Sequence, residues 1–131
     1  MLIKKLAKQY NIRVIYKNYK QSGGVFSSKS LIILSTNIKK EDLLSVFLHE
    51  VGHIIAYRQN KYKVYHSDIN PNRMNKKNKH IFKSTAYAAE LWADKWAEKE
   101  FIKLRLKGTF QKNYGIDPDQ DKQFLKTWYF G

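Results

Sequence analysis

The chain contains no cysteine. Neither a disulfide nor a thiolate metal site is therefore open to it, and any metal ion must be held by His, Asp or Glu. Long apolar runs are missing too. The longest aliphatic stretch, Leu31-Ile32-Ile33-Leu34, is far too short to cross a bilayer. The start of the chain, Met1-Leu2-Ile3-Lys4-Lys5-Leu6, has no apolar segment of the kind a signal peptide carries before its lysines resume. Together these absences lead to the expectation of a soluble, cytoplasmic protein with no membrane partner. Acids are scarce, with 11 Asp and Glu against 25 Lys and Arg, for a net charge of +14. An apolar content of 43% and an aromatic content of 15% nevertheless argue against a disordered chain. A single compact domain over residues 1–131 is expected, since no repeat, linker or second domain is visible.

The positive charge is unevenly placed. Residues 1–40 hold nine Lys and Arg and no acid, and residues 58–83 hold eight against Asp68 alone. Such a field draws acidic partners or nucleic acid. A solvated lysine surface accounts for it more simply, because no arginine-rich helix or aromatic-basic RNA signature accompanies it.

Leu2, Ile3, Leu6, Ala7 and Tyr10 recur at helical spacing, so residues 2–10 read as a short amphipathic helix ended by Asn11. Ile12 to Tyr16, Val25-Phe26 and Leu31 to Leu34 are strand candidates, with a turn signal at Ser22-Gly23-Gly24. They suggest a small antiparallel sheet. Ser35, Thr36 and Asn37 are candidate N-caps for a helix from Glu41 to about Arg58 that is apolar almost all round. Residues 60–83 read as a long basic loop. A second long helix is expected from about Ser84 to Lys107, with Gly108 as its C-cap. Its small residues Ala86, Ala89, Ala93 and Ala97 would let another helix approach closely. Asp117-Pro118-Asp119 opens a short last helix carrying Phe124, Leu125 and Trp128.

Within the first long helix lies His49-Glu50-Val51-Gly52-His53. Histidines four apart share one helix face and can donate two ligands to one Zn²⁺. Glu50 between them stands on a neighbouring flank, within reach of a proton on a metal-polarised water. Two histidines satisfying core carbonyls are the bland alternative, but His49, Glu50 and His53 are polar residues in an otherwise apolar helix and need partners. A third ligand is required for a catalytic zinc. His66 and His80 fall in the expected loop, whereas Glu90 lies on the second long helix inside Glu90-Leu91-Trp92-Ala93-Asp94. Asp94, one turn on, can take the other ring N–H of a ligating histidine. Tyr57, Tyr62, Tyr65 and His66 are candidate oxyanion donors among which the sequence does not choose.

The two motifs together resemble the gluzincin pattern of two histidines with a downstream glutamate. The short helix and strands ahead of them resemble the ImmA/IrrE family of zinc metallopeptidases. The resemblance spans roughly residues 2–107. The Leu-Met-Pro-type ending common after the second helix in that family is missing here, and the loop between the motifs is unusually basic. The resemblance implies an α+β, zincin-like fold, with the N-terminal helix and sheet packed on two long helices. It further implies His49, His53 and Glu90 as zinc ligands, Glu50 as catalytic base and Asp94 as the carboxylate behind a ligand. The implied activity is endopeptidase cleavage of a specific intracellular protein, of which helix-turn-helix repressors of phages and mobile elements are the family example. The competing expectation is a zinc-stabilised binding module or antirepressor that acts on protein or nucleic acid through its basic surface without proteolysis.

Overall fold

The computed structural model describes residues 2–18, 24–27, 30–62 and 75–110. Six elements follow in chain order: α1 (Leu2–Gln9), β1 (Arg13–Lys17), β2 (Gly24–Ser27), β3 (Leu31–Ser35), α2 (Lys40–Arg58) and α3 (Lys76–Lys103). The architecture is α+β. No described helix is long and apolar enough to cross a membrane.

Helix α1 buries Ile3, Leu6 and Ala7 on one face and stops where the sequence predicts. Asn11 takes the left-handed region at φ 57°, which a short polar side chain tolerates better than most. Its N–H donates to the Lys8 carbonyl and the Ile12 N–H to the Ala7 carbonyl, the double closure of a Schellman motif. Asn60 (φ 57°) ends α2 in the same way, with Lys61 N–H donating to Ala56 O at 2.9 Å.

The sheet corrects an expectation. It is mixed, in the order β1-β3-β2: β2 pairs antiparallel with β3, but β1 pairs parallel with it, Val14 opposite Ile32 and Tyr16 opposite Leu34. The reason lies in β3, whose four consecutive aliphatic residues suit a strand covered on both faces rather than an edge. Ile32 and Leu34 are fully buried. The most apolar strand takes the centre, and β1 and β2 become its two neighbours.

Helix α2 buries eleven of its nineteen residues, Ser45 to Ile54 and Ala56 among them. Its N-cap is Lys39, without a side-chain cap bond. Ser35, one of the three expected caps, instead accepts the Asn37 N–H on its Oγ. Helix α3 begins eight residues before the expected start, so part of the predicted loop, including His80, is helical backbone. It also ends earlier, with Arg105 rather than Gly108 taking the left-handed turn nearest its end (φ 52°). Ala86, Ala89, Ala93 and Ala97 are completely buried. Trp96, Phe101 and Leu104 pack against the core as expected. Trp92 is half-buried, with the Lys61 ammonium 5.9 Å from its ring centroid. The expected last helix falls outside the described residues.

Candidate metal centre

His49, Glu50 and His53 come from the middle of α2, and Glu90 and Asp94 from α3. All five are buried: 3%, 8%, 1%, 3% and 6% exposed in that order. What brings the two helices so close is Gly52. A Cβ at this position would stand 2.8 Å from the Ala93 carbonyl oxygen and 3.0 Å from its Cα. Both are backbone atoms that cannot swing aside, so no side chain fits here without parting the helices. Gly52 lies between the motif's second and fifth residues, and the sequence reading attached no role to it. The alanine stripe facing it was the available signal, since a helix lined by small residues needs a partner with an equally bare surface.

The resulting geometry is a triangle of Lewis bases. His49 Nε2 lies 2.8 Å from Glu90 Oε2, His53 Nε2 lies 3.0 Å from the same oxygen, and the two Nε2 atoms are 3.1 Å apart. The His49 and His53 rings meet edge to face, 82° between planes. Behind the triangle, Asp94 Oδ1 is 2.7 Å from His49 Nδ1, positioned to accept that ring N–H. This contact directs the lone pair of His49 Nε2 into the triangle. Three acceptors at such separations repel unless a cation stands among them, either a proton or a metal ion. His49, His53 and Glu90 could together hold a metal ion.

The electrostatics carry the same signature. Burial works against a charge on His49, yet the hydrogen bonds with Asp94 and Glu90 and the nearby Glu50 and Glu90 carboxylates outweigh it. Its pKa is pushed up to about 10. Burial also disfavours the Glu90 anion, but the charge and hydrogen bonds of His53 and His49 win and hold this carboxyl well below the usual range. His53 is pulled down, first by burial. Glu50 is pushed up to about 8, chiefly by burial, with the His49 charge opposing and the Glu90 and Asp94 carboxylates adding. Among the described residues Glu50 accepts no hydrogen bond. No buried side-chain oxygen lacks a partner among the described residues, so the Glu50 carboxyl keeps contact with solvent beside the cation site, where a water can reach it.

The structure thus brings together His49, His53, Glu90 and Asp94, with Glu50 beside them on α2. Tyr57 stays on α2, one turn beyond His53 and 40% exposed. Tyr62 lies past the helix end with φ 55°. Tyr65 and His66 fall outside the described residues. Comparison with known proteins adds no relative: no family model, no curated protein and no solved structure matches this chain.

Proposed function

We propose that this chain is a zinc-dependent endopeptidase of the ImmA/IrrE kind, with His49, His53 and Glu90 holding the metal and Glu50 as general base. The convergence of His49 Nε2, His53 Nε2 and Glu90 Oε2 within 3.1 Å of one another carries this reading. A tetrahedral zinc with bonds of ~2.0–2.1 Å spaces its ligand atoms roughly 3.3 Å apart, so the triangle fits after a few tenths of an ångström of relaxation. Two neutral imidazoles and one carboxylate form a set that leaves the fourth position open, as a hydrolytic rather than a purely structural site requires. When bound, zinc supplies Lewis-acid polarisation of water and of a scissile carbonyl.

The chain's own residues supply the rest. Asp94 fixes the His49 tautomer through the 2.7 Å contact with Nδ1. Glu50, one residue along α2 from His49 and free of hydrogen bonds among the described residues, takes a proton from the attacking water. It then returns that proton to the leaving amine nitrogen. Gly52 holds α3 close enough for Glu90 to share its oxygen between both imidazoles. The substrate we propose is a specific intracellular protein, with a helix-turn-helix repressor as the first candidate.

Glu50→Gln tests the assignment. The variant should keep its metal by elemental analysis while proteolysis of a candidate repressor falls by about 10²–10⁴-fold, the usual worth of a general base. Cleavage that survives the substitution excludes the mechanism. Cleavage by neither the native chain nor Glu50→Gln, with repressor binding intact in both, would favour the binding-module reading.

A further inference from the structure

Residues 1–40 carry nine cations and no acid, and the fold gathers part of that charge around an apolar trough. Between α1 and β1 lies a hollow of about 470 Å³, with Ile3, Ala7, Ile12 and Val14 as its apolar lining and Lys4 and Lys8 beside them. Tyr16, 47% exposed, also lines it. A second hollow of about 510 Å³ reaches Asn11, Arg13 and Ser30. It shares Ala7, Lys8 and Ile12 with the first, so the two form one trough passing the C-terminal end of α1. Lys4, Lys8 and Arg13 are exposed. Among the described residues no carboxylate pairs with any of the three.

Strand β1 borders this trough and, among the described residues, is an edge of the sheet. The Arg13 N–H donates to Ser30 O, and the Lys17 carbonyl accepts the Thr36 N–H, both on the side where β3 lies. Along a strand the main-chain polar groups alternate sides from one residue to the next. Val14 and Tyr16 therefore direct their N–H and C=O groups away from β3, toward the side of β1 on which no described strand lies. Unpaired main-chain groups of this kind are a template for another strand. An apolar floor, a strand edge and three unpaired cations coincide in one place.

We propose that this edge is a docking site for an extended acidic segment of a partner protein. The segment adds as a strand to β1, sets an apolar side chain in the trough and lays carboxylates against Lys4, Lys8 and Arg13. A second copy of this chain would bring the same cations against themselves. Nucleic acid would engage the cations but leaves the apolar floor and the strand edge unused. The site stands apart from the metal centre, none of whose ligands lines the trough.

The test uses the full chain and four fluorescent probes read by anisotropy. These are an eight-residue peptide alternating glutamate with valine, its lysine–valine counterpart, octaglutamate and a 20-base-pair DNA duplex. The alternating acidic peptide should bind most tightly and protect the Val14 and Tyr16 amides from hydrogen exchange. The triple variant Lys4→Glu/Lys8→Glu/Arg13→Glu should weaken it by about tenfold or more, with an unchanged circular dichroism spectrum. The milder Lys8→Gln/Arg13→Gln variant should weaken it in the same direction and serves if the triple reversal disturbs the fold. Absent binding, protection confined to other segments, or equal affinity for octaglutamate or the duplex would overturn the proposal. So would unchanged affinity in both variants.

Discussion

Between α2 and α3, two histidines, Glu90 and Asp94 are buried and bonded to one another within 3.1 Å. Around α1 and β1, Lys4, Lys8 and Arg13 stand on the surface with no carboxylate among the described residues to meet them. The same chain thus treats charge in two opposite ways. Taking an ion out of water costs several kcal/mol unless partners replace the solvent, so the interior cluster exists only because each member is oriented by another. The surface cations pay no such penalty and need no partner to be stable. A net charge of +14 describes the second region and conceals the first, where Glu50, Glu90 and Asp94 face two histidines in the interior.

The contrast can be broken most forcefully at the helix contact. Gly52→Ala inserts a methyl 2.8 Å from a backbone oxygen, and should cost about 1–3 kcal/mol in a denaturant titration together with a measurable loss of metal affinity. Lys8→Glu, a surface change at the other region, should stay within about 0.5 kcal/mol. Equal effects of the two would remove the distinction between a built interior and a permissive surface. A smaller effect is expected at Asp94→Asn, which leaves the ligands in place but weakens the hold on His49. Metal affinity should fall about 10–100-fold by competition with a chelator; an unchanged constant would mean that Asp94 does not orient the ligand.

The smallest effect is the pH response of the metal-stripped protein. His49 keeps its proton up to about 10 in the fold against an ordinary value of 6.5. The stability it contributes is therefore complete below 6.5 and is lost as pH climbs through 10. Glu50, raised from 4.5 to about 8, acts with the same sign but is spent by about pH 8. Tyr10, raised to about 12 chiefly by burial and helped by its bond to Glu100, acts only above pH 10. Between pH 8 and 10 His49 is thus the resolved contributor. Thermal unfolding of the stripped protein should move to lower temperature across that window, while the metal-loaded protein, whose His49 nitrogen is already committed, stays level. Parallel curves would show that the metal does not engage His49.

How far this was legible in the sequence follows from which physics acts locally. The motif on α2 and the i, i+4 pair Glu90 and Asp94 could be placed because helix periodicity fixes their faces without reference to the rest of the fold. Asn11 as a helix end was legible for the same reason. The strand order was not: parallel pairing of β1 with β3 is decided by which strand is covered on both faces, and this is a tertiary fact hinted at only by the unbroken aliphatic run in β3. The start of α3 was missed because Lys76, Lys77, Asn78 and Lys79 offer no apolar repeat to mark it. Gly52 carries no local signal, since its role depends on a carbonyl 41 residues away in another helix.

Metal content of the purified protein and of two variants tests the central claim most directly. By elemental mass spectrometry the native chain should hold one zinc per molecule, and His49→Ala and Glu90→Ala should each hold almost none while remaining folded. Zinc retained at full stoichiometry in Glu90→Ala would contradict the three-ligand site between α2 and α3.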